Sequence, residues 1–152
     1  MINLVGEAPG GHVDITHRPS LALTGTSGRR LCALAGWDWL AYLRHTHRTN
    51  LFTTPQDAAW DAGEARARAR RIGAKLYRRG ASPTVLLGAK VAAAFGLTQV
   101  PTYEWVEYWP AGGTGPGMRV ALVPHPSGRN RLWNVESERD RARAFLRDLV
   151  PG

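Results

Sequence analysis

The sequence is poor in three things, and each shortage removes a class of explanation. It has one cysteine, Cys32, which excludes an intramolecular disulfide and any four-cysteine zinc or iron–sulfur site. It has two lysines, Lys75 and Lys90, so chemistry through an amine nucleophile has few candidates. It has no apolar run of about 18 residues, and no basic start followed by an apolar core and a cleavage site. Neither a membrane span nor a signal peptide is therefore expected, and the reading is of a cytoplasmic protein with no membrane partner. Phosphate-loop and dinucleotide-binding glycine patterns are missing as well.

What is present is enough for one domain with a real core. The chain has 152 residues, 43% of them hydrophobic, and a single domain over 1–152 is expected, as a monomer. Twenty Lys and Arg against twelve Asp and Glu give a net charge of +8. Such an excess favours a polyanionic partner, nucleic acid above all, although a chain rich in Arg and Ala can also reflect genome composition.

Short aliphatic runs alternate with helical patterns. Residues 2–5 read as a buried strand, and Gly6, Pro9, Gly10 and Gly11 force a loop that lasts to about Ser27. A helix from Arg29 to about Leu34 stops at Gly36, and Trp37, Trp39, Leu40, Tyr42 and Leu43 form a further helical turn or two, as core or pocket wall. Arg48 to Phe52 reads as a strand, and His45 and His47 would share one face of it. Ala58, Ala62, Ala65, Ala69, Ile72 and Leu76 form an apolar stripe at helical spacing, lasting to about Arg79. Arg66, Arg68, Arg70 and Arg71 spread over that helix's solvated faces. Gly80 to Pro83 breaks it. Thr84 to Leu87 is a buried strand, Ala89 to Phe95 a helix, Thr102 to Trp109 a candidate edge strand, and residues 110–117 a flexible turn. Met118 to Val123 is a strand, and Asn134 is the expected N-cap of a last helix buried through Ala142, Phe145, Leu146 and Leu149. The alternation predicts an α/β fold, a three-layer αβα sandwich around a mainly parallel four-stranded sheet.

Two strand-to-loop junctions carry chemistry: Gly6-Glu7-Ala8-Pro9-Gly10 after the first strand, and His125-Pro126-Ser127-Gly128-Arg129-Asn130 after the last. Open α/β sheets keep ligand sites at strand carboxyl ends, so a carboxylate and an imidazole there form a candidate active site. On the residues alone, Glu7 can equally be a solvated loop residue and His125 a turn histidine.

These motifs resemble the signature loops of the uracil-DNA glycosylase superfamily, and the resemblance covers nearly the whole chain. The first loop resembles the iron–sulfur (family 4) members, as do Leu23-Thr24-Gly25-Thr26-Ser27-Gly28, Thr49-Asn50-Leu51 and Val85-Leu86-Leu87-Gly88-Ala89. The loop at His125 is more similar to the single-strand-selective monofunctional uracil glycosylases. The cysteines of the iron–sulfur group are missing, so no metal cluster and no cofactor are expected. Leu23 stands where the family has a Phe that stacks on the flipped base.

The resemblance implies an enzyme that flips a pyrimidine nucleotide out of DNA and hydrolyses its N-glycosidic bond. It implies Glu7 as the carboxylate that positions water at the sugar, with Asp14 as a possible substitute, and His125 as the donor to the departing base. Ala8, Leu23 and Asn50 would bind that base. Asn50 fits uracil in one amide orientation and cytosine in the other. Ser27, Gly28 and Ser127 would meet phosphates, although they also suit an N-cap and a turn. Arg129, Asn130, Arg131 and Leu132 would form a wedge into DNA, the alternative being a basic surface loop. Uracil in DNA is the preferred substrate. A bulky modified pyrimidine of viral DNA is the first alternative, and a noncatalytic DNA-binding module the second. A lyase step is not expected, because both lysines lie in helices away from the signature loops.

Overall fold

A strand with apolar residues on both sides must be covered on both sides. Ile2–Gly6 (β1) is buried at all five positions and Thr84–Leu87 (β3) at all four. The two pair in parallel inside a five-stranded sheet in this computed structural model, which describes residues 1–152 apart from 12, 58 and 81. Thr46–Asn50 (β2) lies beside β1, and Met118–Val123 (β5) beside β3, both parallel. Trp105–Tyr108 (β4) pairs antiparallel with β5, so the order is β2-β1-β3-β5-β4. The expected four strands are the parallel part. The fifth is the candidate edge segment, and a turn at residues 110–117 that returns directly into the neighbouring strand can only join antiparallel partners.

Side chains alternate across the sheet and sort the helices into two layers. Ile2, Leu4, Val85, Leu87 and Val123 pack in one cluster with residues of Thr26–Ala35 (α1), Trp39–His45 (α2) and Glu136–Leu146 (α5). Val5, Leu86, Met118 and Val120 face the other way, onto Ala62–Arg78 (α3) and Ala89–Ala94 (α4). The result is a three-layer α/β sandwich. Among the described residues no helix is long and apolar enough to cross a membrane.

Several boundaries differ from expectation. Helix α1 starts at Thr26, earlier than Arg29, and ends as expected at Gly36, whose φ of 74° is the left-handed cap that glycine adopts without strain. Strand β2 begins and ends two residues before the expected span, and His45 ends α2, so His45 and His47 do not share a strand face. Helix α3 begins at Ala62, because the Asp61 carboxylate accepts the Glu64 N–H at 2.9 Å. Ala58, expected at its start, lies outside the described residues, as does Ala81 in the break that follows the helix. Asn134 is not the cap of α5. It closes a 3-10 turn, Arg131–Asn134, and Val135 takes the cap position. The turn at 110–117 is tied down: the Trp109 indole donates to the Gly115 carbonyl at 2.9 Å, and the Tyr77 hydroxyl to that of Pro116 at 3.1 Å.

Candidate active site at the strand ends

After β1 the chain adds β2 on one side, then crosses back to add β3 on the other. The carboxyl ends of β1 and β3 therefore flank a topological switch point, where an open α/β sheet leaves a crevice. Glu7 follows β1, Asn50 ends β2, Gly88 follows β3, and His125 lies two residues beyond β5. A cavity of about 520 Å³ sits at this edge, and Glu7, Ala8, Leu23, Ser27, Asn50 and His125 all line it.

Glu7 and His125 meet across Gly88. The glycine has a φ of 107°, and a Cβ there would stand 3.3 Å from Glu7 Oε1 and 3.3 Å from His125 Cβ. Any side chain would strain the backbone and enter the gap between them. Glu7 is anchored through its backbone, whose carbonyl accepts the Phe52 N–H at 2.9 Å. Its carboxylate joins no ion pair among the described residues.

His125 is oriented by its own loop. Its Nδ1 accepts the Ser127 N–H at 3.1 Å, while its carbonyl accepts from Trp133 Nε1 at 2.8 Å and Asn130 Nδ2 at 3.1 Å. A neutral imidazole that accepts at Nδ1 carries its proton on Nε2. Burial lowers the proton affinity of His125, and the Glu7 charge opposes that shift in part. The ring is thus a neutral donor at physiological pH.

Asn50 is 6% exposed, and its Oδ1 is buried with no hydrogen-bond partner among the described residues. Gly6 makes room for it, since a Cβ at Gly6 would come within 2.5 Å of that oxygen. A buried amide oxygen without a partner is costly unless something else satisfies it. Leu23 is held beside it at a φ of 56°, a conformation that a leucine rarely adopts. The buried Tyr42 hydroxyl donates to the Leu23 carbonyl at 2.8 Å, and Gly28 lies so close that a Cβ would overlap that oxygen. Val13, Ile15 and Leu21 complete an apolar wall, Val13 and Leu21 at its rim with 53% and 43% exposure.

No family model matches the chain, and no curated protein is detectably similar to it.

The cavity gathers six of the thirteen expected site residues. Asp14 is not in its lining; the carboxylate is exposed and accepts the Thr16 N–H at 2.8 Å, closing a turn that holds its acidity above normal. Gly28 is buried in α1 against Leu23. Ser127, Arg129, Asn130, Arg131 and Leu132 sit in the loop and turn after His125, outside the cavity lining. There Ser127 Oγ accepts the Arg129 N–H and Asn130 Oδ1 accepts the Leu132 N–H. Gly88, Tyr42 and Trp133 escape a sequence reading as site residues. Gly88 is marked by following a strand and by its place in the resemblance at residues 85–89, neither of which gives it a role, and the two aromatics look like ordinary core or pocket wall. Among the described residues no cluster of three or more His, Cys, Asp or Glu is placed to hold a metal ion.

Proposed function

We propose that this protein is a monofunctional DNA glycosylase of the uracil-DNA glycosylase superfamily, acting on uracil in DNA. The observation that carries the reading is the placement of Glu7 and His125 on either side of Gly88, in a cavity that also holds the unpartnered amide oxygen of Asn50. The mostly parallel sheet covered by helices, with the cavity at the carboxyl ends of its parallel strands, is compatible with that superfamily's fold.

The chemistry needs help at two charges. As the bond between C1′ and the base nitrogen breaks, its electron pair leaves with the base and the sugar gains oxocarbenium character. Glu7 stabilises the cation and orients a water for attack on C1′. The water oxygen bonds to carbon, and its proton passes to the carboxylate. His125 donates from Nε2 to the O2 of the departing base, where negative charge collects. Because the ring starts neutral and is fixed at Nδ1, the donor needs no reorganisation as the charge appears. Asn50 reads the edge of the base, accepting from N3–H and donating to O4. Leu23 and Ala8 supply apolar contact, and the base departs as an anion that solvent protonates.

The apolar wall of Val13, Ile15 and Leu21 supports a second reading of the same reaction, excision of a bulkier modified pyrimidine. Incubation with DNA containing uracil, 5-hydroxymethyluracil or modified viral cytosines, with mass spectrometry of free base and alkaline cleavage of abasic sites, separates the two. Uracil release is expected. Release of a modified base alone would transfer the assignment to the second reading. Salt-sensitive DNA binding without release of any base would leave a noncatalytic module and overturn both. Glu7→Gln is expected to lower kcat by a factor on the order of 100 to 10,000 while DNA binding persists.

A further inference from the structure

On the other side of the His125 loop lies a second cavity, about 470 Å³, between α1 and α5. Pro126 and Trp133 form part of its floor, and Arg30, Arg139 and Arg143 stand in its walls. Two of these arginines are held by backbone carbonyls and not by carboxylates. Arg68 pairs with Glu64 at 2.8 Å and Arg141 with Glu138 at 3.0 Å, so their charges are neutralised where they stand. Arg139 instead donates to the Trp133 carbonyl at 2.6 Å, and Arg143 to the carbonyls of Leu34 and Ala33 at 3.4 Å each. None of the three cavity arginines forms an ion pair among the described residues.

A guanidinium carries five N–H donors, so a carbonyl fixes its position and leaves its charge and most of its donors available. Arg30 lies against Gly128, where a Cβ would come within 2.3 Å of its Nη2; only glycine lets the guanidinium approach the loop so closely. Two carboxylates, Glu136 and Asp140, also line the cavity. Glu136 occupies the first turn of α5, where the helix N-terminus stabilises its charge, and neither carboxylate is bonded to the arginines.

We propose that this cavity is a second DNA contact, in which Arg30 and Arg139 hold a backbone phosphate across the His125 loop from the flipped base. Planar guanidiniums match phosphate oxygens two at a time, which suits Arg139, held by a carbonyl, and the neighbouring Arg30 to this ligand. A strand phosphate is favoured over a free ion because the cavity adjoins the loop of Ser127 and Arg129. The inference rests on the glycosylase reading, since its occupant is the substrate strand. One residue joins the two sites: the carbonyl of Trp133 takes Arg139 while its indole holds the His125 carbonyl.

The test is fluorescence anisotropy with a duplex carrying a tetrahydrofuran abasic analogue, measured against salt concentration. Wild type is compared with Arg30→Gln, with Arg30→Gln/Arg139→Gln, and with Arg71→Gln/Arg78→Gln, an equal loss of charge on exposed positions of α3. Loss of one phosphate contact should flatten the slope of log Kd against log salt by about 0.9 in the cavity variants and leave it unchanged in the α3 variant. Arg30→Gln alone guards against damage to the fold, since its side chain forms no hydrogen bond with the described residues. Equal effects from the two double variants, or none from either, would overturn the proposal. Inorganic phosphate that binds wild type and not the cavity variants, yet does not displace DNA at matched ionic strength, would assign the site to the free ion and overturn it as well. Wild type that neither binds DNA nor releases a base would sink the glycosylase reading and this one with it. Base release with unaltered salt dependence in the cavity variants would sink this one alone.

Discussion

Three hydrogen bonds fix His125, and every donor belongs to residues 125–133: the Ser127 N–H, Asn130 Nδ2 and Trp133 Nε1. Trp133 is the firmest of these, because its ring is buried with the α1 and α5 side chains while its indole N–H reaches the loop. Trp133→Phe keeps most of that packing and deletes the donor. A lost hydrogen bond of this kind is worth about 1 kcal/mol, or roughly five- to tenfold in rate if it serves the transition state. Base release by Trp133→Phe should therefore fall in kcat by that factor, with KM for DNA little changed. An unchanged kcat with only a lowered Tm would make the bond structural. Asn130 works at the same scale. Its side chain spends one end on the His125 carbonyl and the other on the Leu132 N–H, so it shapes the loop from within.

Among the elements, α3 depends most visibly on its first turn. Asp61 accepts the Glu64 N–H, and Glu64 in turn pairs with Arg68. Asp61→Ala should cost about 1 kcal/mol in urea unfolding, as loss of an N-cap usually does. No effect would mean that the helix start is held by tertiary packing instead. Elements of this kind also mark how far the sequence can be read. Strands β1, β3 and β5 were legible because short aliphatic runs between turn residues leave few alternatives, and α3 because its stripe repeats at helical spacing. Strand β2 was displaced by two residues because Thr46–Asn50 is polar and half-buried, so the apolar pair Leu51 and Phe52 drew the reading forward. The start of α5 was misread because a 3-10 turn occupies the residues that look like its cap. Glu7, Asn50 and His125 could be picked out because each stands where a strand gives way to a loop. Tyr42 and Trp133 could not, since only a contact across the fold distinguishes them from other buried aromatics.

Across the whole molecule, two histidines tie stability to pH. Burial lowers the proton affinity of His125, and burial with the neighbouring Arg79, Lys75 and Arg48 charges lowers that of His47. Unfolded, both titrate near pH 6.5. Below that value the unfolded chain binds more protons than the folded one, so unfolding free energy declines as pH falls through 6.5 towards the lower folded values. The urea midpoint should hold steady above about pH 7.5 and fall between pH 7 and 5, and His47→Gln should flatten part of that fall. A midpoint indifferent to pH across that range would contradict the protonation sign.

The position of β1 also bears on how the chain is made. The strand that leads into Glu7 is synthesised before the other strands of its sheet, yet it lies between β2 and β3, partners some forty and eighty residues downstream. Until β3 has emerged, a nascent chain bears an aliphatic segment whose backbone donors and acceptors are satisfied on one side at most. Parallel pairing over such separations is slow to form. The same placement that puts a carboxylate at the switch point therefore makes its strand the part of the growing polypeptide in greatest need of shelter.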